Sequence, residues 1–247
     1  MFYEGIVMTI LVVSDLHCGS TVGLMHPDDY SLNSVQQYLY DKWSQMATAV
    51  GHVDTLIVNG DAVDGPNKAE EALGLTTPDM SEQCEIVHSL LSMIDYDNAL
   101  FINGSDYHTK VNPSCDWVAS RVCGAEWGKY QKIINVDDIK MHIRHFAIFN
   151  SNKWQRTSSQ RKEAYEMEHD GWDIDIYIRS HTHSFDYSGN SQNLTINTPC
   201  WKGRDAYIEK RKMGRTDIGY ITIDINGPNY TWDQMIHHVP ERLYEYL

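Results

Sequence analysis

"TILVVSDLHCGS", Thr9 to Ser20, decides how this sequence is read. The apolar run Ile10 to Val13 has the length and β-branching of a buried strand. It ends in Asp15 and, two positions on, His17. Strands usually close on ordinary turn residues. Two residues separated by one position on an extended segment point the same way. D-x-H therefore offers a carboxylate and an imidazole to one cavity.

The arrangement returns along the chain. "DTLIVN" at 54–59 reads as a second strand and runs into "GDAVDG", with Asp61 and Asp64. "ALFIN" at 99–103 reads as a third, followed by Ser105, Asp106 and His108. "IKMHIRHFAIF" at 139–149 reads as strand and holds His142 and His145, of which His145 is the expected inward residue. "DIDIYIRS" at 173–180 leads into His181 and His183. Each step is about one strand–helix–strand unit. In parallel α/β sheets the carboxyl ends of the strands share one edge, and ligands bind there. These Asp and His residues are thus expected to converge in space.

The stretches between read as helices. Val35, Leu39, Trp43, Met46, Ala47 and Val50 have helical spacing over 34–50, with Gly51 as the stop. Asp79 and Glu82 have capping-box spacing ahead of a helix through Ile94. A short helix is expected from Ser114 to about Gly124, and another over 157–169. After 194 short strands dominate, notably "IGYITIDI" at 218–225. Alternating strands and helices that give way to strands predict an α/β core with a sheet finished by antiparallel strands. No linker or repeat interrupts it, so residues 1–247 are expected to form one domain.

Composition narrows the class. Hydrophobic residues make up 42% and charged residues 22%, as in ordinary globular proteins. No apolar run approaches the length of about 18 residues that a membrane span needs. The N-terminus has no basic region ahead of its apolar run, so no secretory leader is expected. The five cysteines form no C-x-x-C pair, which predicts a reducing, cytoplasmic setting without a disulfide frame. A net charge of −14 argues against a general duplex-DNA binder. The charge is uneven: residues 1–100 hold two basic against fifteen acidic side chains. A basic run follows later, with Lys202, Arg204, Lys210, Arg211, Lys212 and Arg215. It is either a solvated loop or a hold for an anionic substrate.

The strand-end residues comprise imidazoles and carboxylates without thiolates. Mixed nitrogen and oxygen ligands suit divalent manganese, iron, zinc, cobalt or nickel, with manganese the first expectation. A carboxylate can bridge two cations, and two ions about 3.5–4 Å apart can clamp a phosphoryl group and make a nucleophile of bound water.

The ordered set "SDLH", "GDAVD", "GSDYH", His145 and "SHTH" resembles the calcineurin-like metallophosphoesterases. The family motifs run D-x-H, G-D-x-x-[DN], G-N-H-[DE], H and G-H-x-H, and the resemblance covers Val12 to His183. "SDLHCGSTVGL", the Trp43 region and "NTPCWKGRDAY" look more narrowly like phage- and prophage-encoded members, for which the setting would be the host-cell cytoplasm. The resemblance implies a four-layer α-β-β-α sandwich with two mixed β-sheets. It implies two divalent ions, one held by Asp15, His17 and His183, the second by His145 and His181, with Asp61 bridging. A bridging hydroxide would then attack phosphorus in line.

One motif departs from the family: Ser105 stands where Asn is usual. His108 is then either a proton donor to the leaving group, the favoured role, or a ligand in place of that Asn, and Asp106 is a third candidate. Arg156 is a candidate contact to a phosphate oxygen, and Asp64 an outer partner that orients a ligand histidine. Trp201 and Tyr207 either pack in the core or stack on a base. The expected substrate is a phosphate ester, a nucleotide or single-stranded nucleic acid among them. The alternative is a metal-binding interaction module of the same fold that has lost catalysis.

Overall fold

The computed structural model describes residues 7–28, 30–66, 73–109, 113–147, 156–205 and 216–246. The first sheet is built from β1 (Met8–Val13), β2 (His52–Asn59), β3 (Asp95–Ile102) and β4 (Glu126–Trp127), all parallel. The hairpin β10 (Ile218–Asn226) and β11 (Asn229–His237) joins it antiparallel to β1, giving the order β11-β10-β1-β2-β3-β4. The second sheet takes β5 (Gln131–Val136), β6 (Ile139–Arg144), β7 (Ile176–Arg179), β8 (Asp186–Gly189) and β9 (Leu194–Asn197) in the order β5-β6-β7-β9-β8. Its centre, β6-β7-β9, is parallel and both edges are antiparallel. The mixed sheets expected from the sequence are present.

The layers follow from side-chain alternation along strands buried on both faces. Ile10, Val12, Ile57, Leu100 and Ile102 face Met141, Ile143, Ile176, Ile178 and Ile196 of the second sheet. Their neighbours Leu11, Val13, Leu56, Val58 and Phe101 face the helices α1 (Ser34–Val50), α2 (Met80–Leu91) and α4 (Cys115–Val122). The short α3 (Asp106–Thr109) precedes α4. On the outer face of the second sheet, α5 (Arg156–His169) packs through Ala164 and Met167 beside Ile133 and Tyr177. Helix, sheet, sheet, helix is the expected four-layer order.

Local signals explain the helix ends. Asn33 caps α1 by accepting from the amides of Val35 and Gln36, and Gln36 bonds back to the Asn33 amide at 3.1 Å, a full capping box. Gly51 ends the helix at φ 63°. The capping box expected at Asp79 forms by half. Asp79 accepts from Ser81 and Glu82, but the Glu82 carboxylate accepts instead from Tyr30 and Thr77. Two hydroxyl donors compete better for that carboxylate than one amide does.

Candidate metal centre

The carboxyl ends of β1, β2, β3, β6 and β7 meet at the seam between the two sheets. Each strand turns sharply there, and the turn residues carry the functional groups. Among described non-glycine residues seven have positive φ, and five of them are Asp15, His17, Asp61, His181 and His183. Left-handed backbone costs an ordinary residue about 1–3 kcal/mol and concentrates at functional sites. Gly60, at φ 84°, and Gly104 make the turns possible. A Cβ on Gly60 would stand 2.5 Å from His145 Nδ1, and one on Gly104 would stand 2.0 Å from Asp61 Oδ1.

Three groups of ligand atoms result, each within 4.8 Å of one another: Asp15, His17 and His183; Asp61, His145 and His181; and His17, Asp61 and His108. The first two are the sets expected to hold the two ions. Asp15 Oδ2 accepts from the Ser14 hydroxyl at 2.5 Å and the His181 amide at 3.3 Å. Its Oδ1 is buried without a hydrogen-bond partner, 3.3 Å from His183 Nε2 and 3.9 Å from both His17 Nε2 and His145 Nε2. His145 Nε2 is likewise buried without a hydrogen-bond partner, 3.1 Å from Asp61 Oδ2.

The outer contacts fix which nitrogens face inward. His145 Nδ1 donates to the Asn59 carbonyl at 2.7 Å, and His17 Nδ1 donates to Asp64 Oδ1 at 2.8 Å. Each ring thereby aims its Nε2 at the cluster, the nitrogen that would hold an ion. His17 Nε2 and His183 Nε2 face one another at 3.2 Å. Unpartnered carboxylate oxygen and converging imidazole nitrogens fit a divalent cation and are costly without one.

Electrostatics agrees with that demand. Burial works against charge on His17 and, with Lys202 and His108 nearby, lowers it to about 3. His145 goes the other way: burial opposes its charge, but Asp61 and Asp15 outweigh burial and push it up to about 10. Asp15 and Asp61 are buried too, yet the neighbouring histidines hold both below the usual carboxylate range. The two carboxylates thus favour positive charge at this point of the cluster.

The remaining sequence candidates divide. Asp64 is buried, with its carboxylate on His17 and its carbonyl accepting from His108 Nδ1 at 2.7 Å. Ser105 donates to Asp61 through its amide at 2.8 Å and its hydroxyl at 3.1 Å. Trp201 is fully buried against Trp43, with ring centroids 4.9 Å apart, so of its two readings the core one holds. His142 points away from the cluster and pairs with Arg179 at 2.9 Å. Arg156 opens α5 but its side chain lies outside the described residues, as do Tyr207, Lys210, Arg211, Lys212 and Arg215.

Asp116 and Arg179 are positioning residues that carried no sequence signal, and Lys202, expected in the basic run as a solvated residue or a hold for an anionic substrate, is instead buried on Asp64 and Asp205. Asp116 in α4 is buried and accepts from the amides of Asp61 at 3.1 Å, Ala62 at 3.0 Å and Gly104 at 2.7 Å. It clamps the second and third loops together. Burial, with Asp61 nearby, raises it to about 7. Lys202 is buried, with Nζ 3.2 Å from Asp64 Oδ1 and 3.1 Å from Asp205. Arg179 ends β7 and bonds Glu163 of α5 at 2.8 Å, just ahead of His181.

No protein-family model matches the chain, and no curated protein sequence does. Solved structures do. Vps29 of Chaetomium thermophilum superposes with a TM-score of 0.52 at 10% identity, over 94% of this chain and all of that one. An archaeal phosphodiesterase superposes with a TM-score of 0.50 at 14% identity, over 93% of this chain and 100% of its own. The fold is metallophosphoesterase-like. At such identities the likeness carries the fold and not the activity. Among the described residues no helix is long and apolar enough to cross a membrane.

Proposed function

We propose that the protein is a metal-dependent phosphohydrolase with a two-ion centre, acting on phosphodiesters of nucleotides or nucleic acids. The observation that carries this reading is the pair of inward-facing triads, Asp15–His17–His183 and Asp61–His145–His181, at the seam of a metallophosphoesterase-like fold. Asp61 is the proposed shared ligand. When bound, divalent ions supply Lewis acidity and lower the pKa of water to the neutral range. The chain's part is to hold them and orient the ester. Asp64 and the Asn59 carbonyl orient His17 and His145 so that each would offer Nε2 to an ion. Ser105 and Asp116 hold Asp61 in place through its carboxylate and its amide. His108, anchored on the Asp64 carbonyl, is the proposed proton donor to the leaving oxygen. Arg156 is the proposed contact to a phosphate oxygen. Manganese is the first metal to test, and likeness to phage-encoded members favours the cytoplasm of a bacterial host. The reading treats residues 1–247 as one catalytic domain.

Hydrolysis of bis-p-nitrophenyl phosphate and p-nitrophenyl phosphate with added manganese tests the reading. Turnover of the diester is expected. No turnover of either ester, nor of a nucleotide panel, would refute it.

A second reading is a metal-binding module without catalysis. It draws on Ser105, whose amide and hydroxyl are both spent on Asp61 where the family has a ligand Asn. Two ions bound tightly with no turnover would favour it.

A further inference from the structure

Two aromatic side chains stand exposed beside the metal centre. Tyr107 is 56% exposed and Phe146 54%. Neither belongs to the apolar clusters that make the core. Tyr107 lies against His108, with ring centroids 4.8 Å apart. Phe146 leans on His181, with centroids 5.2 Å apart and planes 31° from parallel. Between them run the site histidines: His108 against His17 at 4.5 Å, His17 against His183 at 5.1 Å, and His145 against His181 at 5.2 Å. Tyr107 therefore flanks the His108–His17–His183 group and Phe146 the His145–His181 pair, and Asp15 Oδ1 lies 3.9 Å from both His17 Nε2 and His145 Nε2. Phe146 is also held from behind. Its carbonyl accepts from Arg144 Nε at 3.1 Å, and Arg144 is tied to Glu163 at 2.7 Å.

We infer that Phe146 and Tyr107 are stacking platforms for nucleobases, one on each side of the bound phosphate, and that the ligand is a short nucleotide ester. The inference rests on the phosphohydrolase reading for its reaction, but not for its binding. A phosphodiester carries two substituents, and in-line displacement sets the departing one opposite the attacking oxygen and the retained one across that line, so the two leave phosphorus in different directions. A flat π-face at each end of the centre matches a flat group on each substituent, and base–aromatic stacking accepts any base. Charge sets the length. A long polynucleotide needs a track of Lys and Arg along its backbone, whereas this chain carries −14 overall. Of its basic run, the two members among the described residues are engaged, Lys202 by Asp64 and Asp205, and Arg204 by Glu241. Affinity beyond the single phosphate at the metals then comes from the bases.

Equilibrium binding of AMP and of ribose 5-phosphate, measured by calorimetry with manganese present, tests this. The two ligands share phosphate and sugar and differ in the base. AMP is expected to bind about tenfold more tightly. The double variant Phe146→Leu with Tyr107→Leu keeps apolar bulk without a π-face and should bring the two ligands to parity. Phe146→Trp should keep or widen the preference. Equal affinities in the unaltered protein, binding of neither ligand at millimolar concentration, or a preference that survives the double variant overturns the inference. The readout is independent of turnover. A protein that prefers AMP yet hydrolyses no ester loses the phosphohydrolase reading and keeps the platforms. One that hydrolyses esters without that preference loses the platforms alone.

Discussion

The first sheet carries a histidine–aspartate cluster at each end of its strands, and the two differ in kind. At the amino ends of β2 and β3, His52, Asp54 and Asp97 bring ligand atoms within 4.8 Å, as the triads at the carboxyl ends do. There the likeness stops. The His52 side chain is 50% exposed, and its two ring nitrogens are turned to different carboxylates, Asp95 at 3.2 Å and Asp97 at 3.5 Å. Asp54 is spent on the Thr9 amide at 2.7 Å. None of these residues has a positive φ. At the other end Asp15, His17, Asp61 and His145 are buried, each imidazole Nδ1 of His17 and His145 is tied from outside, and the backbone is strained. Residue type alone does not make a metal centre. Burial, aimed lone pairs and stored strain separate it from a solvated ion pair.

The sharpest way to break this contrast is Asp61→Ala. It should release both ions, seen by metal analysis, and cut ester hydrolysis on the order of a thousandfold, beyond the 10- to 100-fold typical of losing an outer partner. Two ions retained in the variant would contradict a shared Asp61. His108→Ala should keep both ions and slow esters of poor leaving groups by about 100-fold or more, while p-nitrophenyl esters lose least. Loss of one ion instead would make His108 a ligand.

Lys202→Met leaves the buried Asp64 carboxylate without its cation. We expect about 3–5 kcal/mol of destabilisation, a fall in Tm of roughly 10 °C in calorimetry for a chain of this size, and metal affinity weaker by about 10- to 100-fold. An unchanged Tm would mean that His17 alone supports Asp64.

The pH response comes next in size. In the metal-free protein His145 keeps its proton up to about pH 10. An ion must displace that proton, so affinity should fall about tenfold per pH unit as pH drops below 10. The sign for folding is opposite. Because the folded value is raised from 6.5, the His145 cation contributes stability to the metal-free chain below about pH 6.5, and that contribution is lost as pH rises through about 10. Proton release on manganese binding, measured in buffers of different ionisation enthalpy, should be close to one; zero would refute the displacement. The smallest effect belongs to the other end of the sheet. His52→Ala should leave both metal content and Tm unchanged; a lost ion would make the amino-end cluster a metal site.

Much of the site was legible because strand ends announce themselves. Asp15, Asp61, His181 and His183 follow apolar runs directly, and D-x-H and H-x-H have a spacing that chemistry explains. The bounds 34–50 of α1 could be read because amphipathic spacing and Gly51 agree. Asp116 and Lys202 were illegible for the opposite reason. Asp116 meets Asp61 across 55 positions with no local pattern to mark it, and Lys202 meets Asp64 across 138 while its basic run suggests solvent or an anion instead. Their roles exist only once the loops close. The exposed rings of Tyr107 and Phe146 were hidden likewise, since an aromatic residue beside an apolar strand reads as core.

The candidate ligands at the carboxyl edge come from both layers: Asp15, His17 and Asp61 from the first sheet, His145, His181 and His183 from the second. Apolar contact between two sheets has no direction and tolerates sliding. Ions gripped from both sides would act as a clasp at the open edge of the sandwich, fixing how far one sheet can shear past the other. The chemistry and the rigidity of the edge would then be switched on together by the same atoms.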